Sequence, residues 1–444
     1  MTGQGNSLLR RGVKLASGPI ARASMTSVII RVAGLALTFI AMALAARMLG
    51  ANGYGQASFA LSVAQICATL ALLGYNSMAI REVARRLKAG QIESLRQFAR
   101  KAIVAVLVSS AFLSVAIVAL VAINSDAIAD YQAALLPAAF SIPLLAAIQL
   151  FRGITQGFGQ TSNAQWPGDI VRPAILAIAM LVLILTGQTL LPPTFLTIYT
   201  MTALVAVGIG GFIVSRIFRN LAPSRSPESV GCQRGRENLS FFGLALVTVL
   251  FAEFATLMLG LFATAKEAGI FQPIVRLTPL MTIPVQAAAM RFSPRVAELW
   301  EGGEQDRLRA VTRVFTITTS LLTIMVALGI AILGPWILAA FGPEFISAAP
   351  LIWIVAAGQI FNALCGPIGH LLTMTGHARA ALHCQLLGLC AAVTTGLWLI
   401  PSIGTLGAAF AVTAGIVVWN SALLLVARKK LGFNPSIIGA LINR

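Results

Sequence analysis

Charged side chains are scarce in this sequence. Only 10% of its 444 residues are Asp, Glu, Lys or Arg, whereas 58% are hydrophobic and the mean hydropathy is +0.87. A soluble globular protein keeps about a quarter of its residues charged, so this composition excludes that class and indicates a membrane protein. The apolar runs are long and continuous, which favours helices over the short alternating strands of an outer-membrane barrel. No polar stretch is long enough for a large soluble domain.

The residues for two other kinds of chemistry are also missing. The five cysteines, Cys67, Cys232, Cys365, Cys384 and Cys390, show no paired metal-ligand spacing, so we expect neither a metal site nor disulfides. The sequence has no G-x-x-x-x-G-K-[ST] phosphate-binding loop. We therefore expect no cofactor and no ATP hydrolysis, and uphill transport would need a proton or sodium gradient.

Twelve apolar segments are long enough to cross a bilayer, at roughly 20 residues per crossing. Cutting the chain at charge clusters and at Gly, Pro and Asn predicts spans at 24–46, 54–75, 102–123, 132–151, 170–187, 194–215, 240–263, 270–290, 311–333, 348–374, 381–400 and 406–427. We therefore predict an all-α polytopic membrane protein with twelve transmembrane helices. The predicted divisions are a basic tail (1–23), an N-terminal six-helix lobe (24–215), a linker (216–239), a C-terminal six-helix lobe (240–427) and a second tail (428–444).

The distribution of basic residues predicts the orientation in the membrane. With the amino terminus inside, 28 of the 32 Lys and Arg residues fall in cytoplasmic segments, as the positive-inside rule requires. Both tails and the linker then lie in the cytoplasm. The cations are spread over seven segments that face anionic lipid, so the net charge of +18 requires no nucleic-acid partner.

The two lobes are similar in sequence. Residues 53–56 (GYGQ) open the second span and residues 269–272 (GIFQ) open the eighth, an offset of 216 positions. Residues 81–84 (REVA) and 295–298 (RVAE) follow the same two spans at an offset of 214. This nearly constant offset predicts two pseudo-symmetric lobes in the same orientation around a central cavity, as in transporters that rock one lobe against the other.

Three ionisable side chains fall inside predicted spans, where a charge is costly unless it is paired or hydrated. Glu253 lies near the middle of the seventh span, Arg276 in the eighth and Arg31 in the first. Glu253 is either a protonatable coupling group or a structural acid held by hydrogen bonds. The two arginines either face one cavity, where guanidinium groups favour a phosphate or diphosphate, or extend along their stems to the headgroups.

Further polar residues are candidates for the cavity wall. They are Arg47, Gln272, Gln359 and Asn362. For the amides, a simple hydrogen bond between helices is an equally good interpretation. The eighth span also contains three prolines, which predict a bent helix beside a cavity because neighbours or water must satisfy the freed carbonyls.

Several short motifs resemble those of Wzx-type oligosaccharide flippases, which belong to the multidrug/oligosaccharidyl-lipid/polysaccharide (MOP) exporter superfamily. The similar segments are 47–50 (RMLG), 53–55 (GYG), 73–74 (LG) and 81–84 (REVA) in the first lobe, and 269–277, 294–297 and 341–345 (FGPEF) in the second. The resemblance covers nearly the whole chain. The chain departs from the family where many members have an Asp-Arg pair, because it has Ala255 and Thr256 there, and where Phe271 replaces a tyrosine.

The resemblance implies a transporter of the bacterial inner membrane, not an enzyme. Such a protein carries polyprenyl-diphosphate-linked oligosaccharide from the cytoplasmic to the outer leaflet by alternating access, and its partners would include a polysaccharide polymerase and glycosyltransferases. Arg276 matches the family's arginine in the eighth helix. Arg31 is similar in placement to the cationic first-helix residue of related lipid II flippases. Both would hold the diphosphate.

Two alternatives to a flippase remain open. The first is a cation-coupled small-molecule exporter of the same superfamily, and the second is a scaffold for glycan assembly that transports nothing. The predicted spans contain two arginines and one glutamate. This balance favours the flippase, because a cavity for organic cations would need acidic residues.

Overall fold

The structure is a computed structural model that describes residues 19–123, 126–221 and 235–442. Every regular element in these ranges is helical. The helices are α1 (19–49), α2 (51–71), α3 (Tyr75–Lys88), α4 (Ile92–Ala122), α5 (Gln132–Gly157), α6 (Thr161–Leu185), α7 (Pro192–Arg219), α8 (Gly235–Phe262), α9 (Ala265–Met281), α10 (Ile283–Glu301), α11 (Gln305–Ile332), α12 (Gly334–Ala339), α13 (Ala349–Cys365), α14 (Ile368–Met374), α15 (378–402), α16 (405–431) and α17 (Ile437–Ile442).

The helices are consistent with twelve crossings. Within the described ranges, nine helical segments are long and apolar enough to span a bilayer. Two of them, Thr26–Ala71 and Ala378–Leu431, each contain two crossings, because the backbone leaves helical geometry at Gly50 and at Gly404. Both glycines have positive φ, which lets the chain turn back. With α9 and α10 as one interrupted crossing, the predicted all-α membrane fold is confirmed.

Several boundaries differ from the prediction; α4, for example, begins at Ile92 and not at residue 102. α6 begins at Thr161 and not near residue 170, because Trp166–Val171 continue the helix as a π-helical turn. α7 continues to Arg219 and α8 begins at Gly235, so both ends of the predicted linker are helical. Residues 222–234 of that linker lie outside the described residues, as do residues 1–18 of the predicted basic tail and the last two residues of the chain.

Prolines accompany two helix breaks in the C-terminal lobe. Pro279 precedes the break between α9 and α10, and Pro284 follows it. Pro367 lies in the break between α13 and α14. Proline has no backbone N–H and collides with the preceding turn, so it interrupts the helical hydrogen bonds. The eighth span is therefore interrupted at Thr282, in the region where its prolines predict a bend.

The connections between crossings define two ends of the bundle. The basic end holds the connections at 88–92, 157–161 and 302–305 and most of the arginines and lysines between crossings. The opposite end holds the turns at 50, 186–191, 262–265 and 403–404.

The two lobes meet at the opposite end, where α2 crosses α9 with the backbones in contact. A Cβ atom on Gly55 would overlap the carbonyl of Ala265, and one on Gly269 would overlap the carbonyl of Ala51. The contact is reciprocal, because 51 and 55 precede 265 and 269 by the same 214 positions. Pairs of small residues four positions apart permit this close approach between membrane helices. The contact makes α2 and α9 a pseudo-symmetric pair of helices, at an offset of 214 and not at the 216 of the GYGQ and GIFQ match.

Polar contacts between the lobes also close the opposite end. The guanidinium of Arg47 donates to the carbonyl oxygen of Ala339 at 3.2 Å. The backbone N–H of Ala51 donates to Oε1 of Glu344 at 3.1 Å. Each contact joins a residue beside the α1–α2 turn to the segment that precedes α13.

Aromatic packing reinforces this closure. The ring of Phe341 lies edge-on to Phe39 of α1, with centroids 5.0 Å apart. Tyr54 of α2 is fully buried against Phe341 and Phe345, at centroid distances of 6.3 and 6.1 Å. These rings exclude solvent from the space between the lobes at this end.

Substituting Gly55 tests whether the α2–α9 crossing holds the opposite end shut. The Gly55→Leu side chain has no space against the Ala265 carbonyl, so we expect the lobes to separate there. A Phe345→Cys reporter in a cysteine-free background should then react several-fold faster with a membrane-impermeant maleimide. The control is Gly208→Leu in α7, where a Cβ meets no atom within 4 Å. Equal reactivity in both variants would contradict the prediction.

Candidate functional site

A cavity of ≈ 640 Å³ lies on the inner face of the C-terminal lobe. It extends from the level of Phe271, below the α2–α9 crossing, to Ala381 and Leu423 near the basic end. Its walls come from α8, α9, α10, α13, α14, α15 and α16, and α1 contributes one residue. The polar lining residues are Arg31, Thr248, Thr278, Thr282, Gln286, Gln359, Asn362, His370, Thr373, Gln385, Trp419 and Asn420.

Arg31 is the only lysine, arginine, aspartate or glutamate among the described residues that line this cavity. The other polar groups are amides, hydroxyls, an indole and the imidazole of His370, whose Nδ1 lies 3.3 Å from Oγ of Ser293. Such a wall offers one cation and many neutral hydrogen-bonding groups. Its chemistry fits a ligand with one anionic part and an uncharged polar part.

A narrow fissure between α1 and α10 meets the cavity at Arg31. Arg31 and Gln286 line both spaces. The other residues of the fissure are apolar: Val28, Val32, Ile283, Ala287 and Met290. The arginine therefore lies where the wide cavity, whose mostly apolar wall carries several polar side chains, joins a narrow apolar gap between the lobes.

Two further charges lie beside Arg31 in the N-terminal lobe. Arg152 of α5 forms an ion pair with Asp169 of α6, and both side chains interact electrostatically with Arg31. Asp169 belongs to the π-helical turn, and its backbone packs directly against Gly34, three residues after Arg31. π-Helical turns often occur at functional sites. The predicted spans at 132–151 and 170–187 leave out both Arg152 and Asp169.

The dipeptide Pro167-Gly168 explains why Asp169 was not predicted to lie in a helix. Proline and glycine together usually mark a turn, so the predicted fifth span begins after them. In the structure both residues continue a helix. Asp169 therefore lies inside the crossing. An acid is tolerated there because it forms an ion pair with Arg152.

Arg276 lies near the cavity but is not among the residues that line it. Its neighbour Val275 does line the cavity, whereas the Arg276 guanidinium turns towards the N-terminal lobe. There it interacts electrostatically with Glu253, Tyr54 and Tyr199. Its Nε is buried without a hydrogen-bond partner. In this arrangement Arg31 and Arg276 do not face one common cavity, in contrast to the sequence-based expectation.

Glu253 also lies between the lobes. Its Oε2 accepts a hydrogen bond of 2.6 Å from Oγ of Ser62 in α2. The carboxylate is therefore both hydrogen-bonded and near a guanidinium, the two conditions under which a charged acid is tolerated at this depth.

The remaining predicted wall residues divide into two pairs. Gln359 and Asn362 line the cavity. Gln272 is fully buried away from it, with its Oε1 accepting from Oγ1 of Thr256 at 3.0 Å. Arg47 lies at the opposite end, where it bridges the lobes. The structure thus separates Arg47 and Gln272 from the cavity wall, because both belong to the packing of the lobes.

Comparison with known proteins agrees with this architecture. Residues 22–300, more than half of the chain, match the family described as "Polysaccharide biosynthesis protein". The chain is also similar to the probable low-salt glycan biosynthesis flippase Agl15 of Haloferax volcanii, with 25% identity over 162 residues. That alignment covers 36% of this chain and 34% of the relative, so the chain spans about a third of the curated protein it matches.

Solved structures share the fold. An inward-facing multidrug resistance MATE family transporter of the MOP superfamily superposes with a TM-score of 0.70 at 13% identity, covering 91% of this chain and 98% of the transporter. The lipid II flippase MurJ in an inward closed conformation superposes with a TM-score of 0.63 at 14% identity, covering 95% and 90%. The predicted two-lobed helical bundle is therefore confirmed.

Asp169→Asn tests the role of the charge cluster. The substitution leaves the guanidinium groups of Arg31 and Arg152 without the carboxylate between them, so we expect a lower midpoint of thermal unfolding in detergent. Adding Arg152→Gln should restore part of that loss, since an unpaired charge destabilises more than the absence of both partners. A double variant as unstable as Asp169→Asn alone would contradict this interpretation.

Proposed function

Because this chain belongs to the polysaccharide biosynthesis protein family, we propose that it is a flippase for polyprenyl-diphosphate-linked oligosaccharide. The observation that carries the proposal is the position of Arg31. A lipid-linked glycan has an apolar chain, an anionic diphosphate and a polar glycan in that order. The narrow apolar fissure, Arg31 and the wide cavity that carries neutral polar side chains follow one another in the same order.

In this proposal Arg31 holds the diphosphate. A guanidinium remains ionised and offers paired N–H donors to phosphate oxygens. The glycan enters the cavity of the C-terminal lobe, where Gln359 and Asn362 are among its amide contacts. The prenyl chain stays in lipid and passes through the fissure between α1 and α10.

The transfer would follow alternating access. The cavity reaches the basic end, and the contacts between α2 and α9 close the opposite end. Most cations between the crossings lie at the basic end, which by the positive-inside rule would be the cytoplasmic side of a bacterial inner membrane. Both termini would then be cytoplasmic, and the basic connections would face anionic lipid. Glycosyltransferases would supply the substrate, and a polymerase would use it after transfer.

Arg276 would act at a later stage of the cycle. It lies between the lobes on the closed side of the cavity, beside Tyr54 and Glu253. Separation of the lobes at the opposite end would expose it to the space that opens. A diphosphate would then pass from Arg31 to Arg276.

The alternative is a cation-coupled exporter of small molecules. That function would favour a carboxylate in the binding cavity to recognise organic cations. Among the described lining residues none is acidic, and Glu253 is instead bonded to Ser62. The wall chemistry therefore supports the flippase.

Replacing Arg31 tests the proposal directly. In proteoliposomes with a fluorescent polyprenyl-diphosphate oligosaccharide, Arg31→Gln should lower the rate of transfer between leaflets by at least about tenfold, since one charge-assisted contact to phosphate is lost. Arg31→Lys should keep part of the rate because it keeps the charge. Arg307→Gln, an exposed arginine outside the cavity, is the matched control. Normal transfer by a folded Arg31→Gln protein would refute the proposal.

Glu253 is the candidate for coupling to a proton or sodium gradient, because its carboxylate joins the two lobes through Ser62. Glu253→Gln keeps a hydrogen-bonding group but cannot lose or gain a charge. We expect an imposed gradient to accelerate transfer by the unmodified protein and not by this variant, while transfer without a gradient persists. Equal acceleration of both proteins would exclude Glu253 from coupling.

A further inference from the structure

Two of the short motifs, residues 47–50 (RMLG) and 341–345 (FGPEF), meet between the lobes at the opposite end, far apart as they are in the sequence. Oε1 of Glu344 accepts a hydrogen bond from the backbone N–H of Ala51, the first residue of α2. A Cβ atom on Gly50 would lie 3.3 Å from the same oxygen. The carboxylate of the C-terminal lobe therefore lies directly at the start of a helix of the N-terminal lobe.

α2 has no cap from the residue that precedes it. The first N–H groups of a helix have no partner within that helix and are usually satisfied by a side chain just before it. Here the preceding residue is Gly50, which has a positive φ of 66° and no side chain. Glu344 supplies the missing acceptor from the other lobe. It also places a negative charge where the aligned peptide dipoles of the helix favour one.

α9, the pseudo-symmetric partner of α2, is capped within its own lobe. Oγ1 of Thr264 accepts from the backbone N–H of Glu267 at 3.2 Å. The N-terminal lobe contacts the turn before α9 through an uncharged group, because the Tyr131 hydroxyl donates to the carbonyl of Gly260 at 2.8 Å. Separation of the lobes at the opposite end would therefore remove the cap of α2 and leave that of α9 in place.

The packing of its neighbours fixes the position of the Glu344 carboxylate. Phe341 and Phe345, on either side of it, are fully buried, whereas Glu344 itself is exposed. Pro343 begins a 3₁₀ turn that continues to Ala348 and leads into α13. Because this turn is anchored in the C-terminal lobe, the carboxylate would move away from α2 together with that lobe.

We propose that Glu344 is a positioning residue that holds the opposite end closed by capping α2 with its charge. The cap exists while the lobes touch at that end and is lost when they separate, so it stabilises the closed arrangement relative to the open one. This inference rests on the alternating access of the proposed function and does not depend on the identity of the substrate.

Distances between spin labels in the full-length protein in nanodiscs test the cap without any substrate. Cysteines at Gln188 and Ser402, in a cysteine-free background, report the separation of the lobes because both positions are exposed beside turns of the opposite end. Glu344→Gln keeps an acceptor for the Ala51 N–H but removes the charge. We expect it to raise the ratio of the long-distance to the short-distance population about threefold. Glu344→Lys places a cation at the same helix end and should raise the ratio further.

Asp130→Asn is the matched control. Asp130 is an exposed acid 214 positions before Glu344, the same offset that relates α2 to α9, and Thr264 already caps α9. The control should leave the distances unchanged. An increase in the order unmodified protein, Glu344→Gln, Glu344→Lys supports the proposal, since a loss of packing alone would not follow the charge. Unchanged distances in the Glu344 variants, or an equal shift in Asp130→Asn and Glu344→Gln, would overturn it.

Transfer assays separate this inference from the proposed function. Arg31→Gln removes the proposed diphosphate contact and leaves the Glu344 cap intact, so it should lower transfer without changing the distances. If the Glu344 variants do not shift the distances while Arg31→Gln still loses transfer, the cap is overturned and the proposed function stands. If Arg31→Gln transfers normally while the Glu344 variants shift the distances in the expected order, the proposed function fails and the cap remains supported.

Discussion

The backbone contact between α2 and α9 is the constraint on which the arrangement of the lobes depends. Gly55 and Gly269 have no side chains to separate the two helices, and each lies against a backbone carbonyl of the facing helix. Packed surfaces of this kind deform little, so two such helices are either in contact or apart. Contact at the opposite end holds the lobes together there and leaves the inner face of the C-terminal lobe accessible towards the basic end. The same reciprocal contact shows that the repeat in the sequence is a repeat of helices.

The two lobes carry different chemistry around the cavity. The N-terminal lobe contributes charge, through Arg31 and the pair of Arg152 and Asp169. The C-terminal lobe contributes neutral amides, hydroxyls and the Trp419 indole. Charges inside a bilayer need partners from neighbouring helices, and the π-helical turn of α6 supplies one by bringing Asp169 against α1. The neutral wall needs no such compensation, which allows it to be wide and open.

Sequence patterns predicted the crossings, the interrupted eighth span and the repeat, because each depends on composition over many residues or on proline at one position. The candidates they offered divide: Arg31, Gln359 and Asn362 line the cavity, whereas Arg47 and Gln272 do not. They could not predict the direction of Arg276, because one residue along a helix rotates a side chain by roughly 100° and Val275 faces the cavity in its place. Nor could they predict Asp169 inside a helix, since Pro167 and Gly168 resemble a turn.

The closed opposite end contains both stabilising and destabilising features. Aromatic packing around Tyr54 and the contact of Gly55 with Gly269 favour it. The guanidinium of Arg276 is buried beside the Tyr54 hydroxyl there, and its Nε lacks a hydrogen-bond partner, which opposes the closed arrangement. Separation of the lobes would let water or an anionic ligand satisfy those groups, at the expense of the apolar contacts. Such opposing contributions keep two conformations close in free energy, so that a ligand with different affinity for each can shift the balance between them. In the proposed cycle a diphosphate would have that property, because Arg31 would bind it in one arrangement and Arg276 in the other.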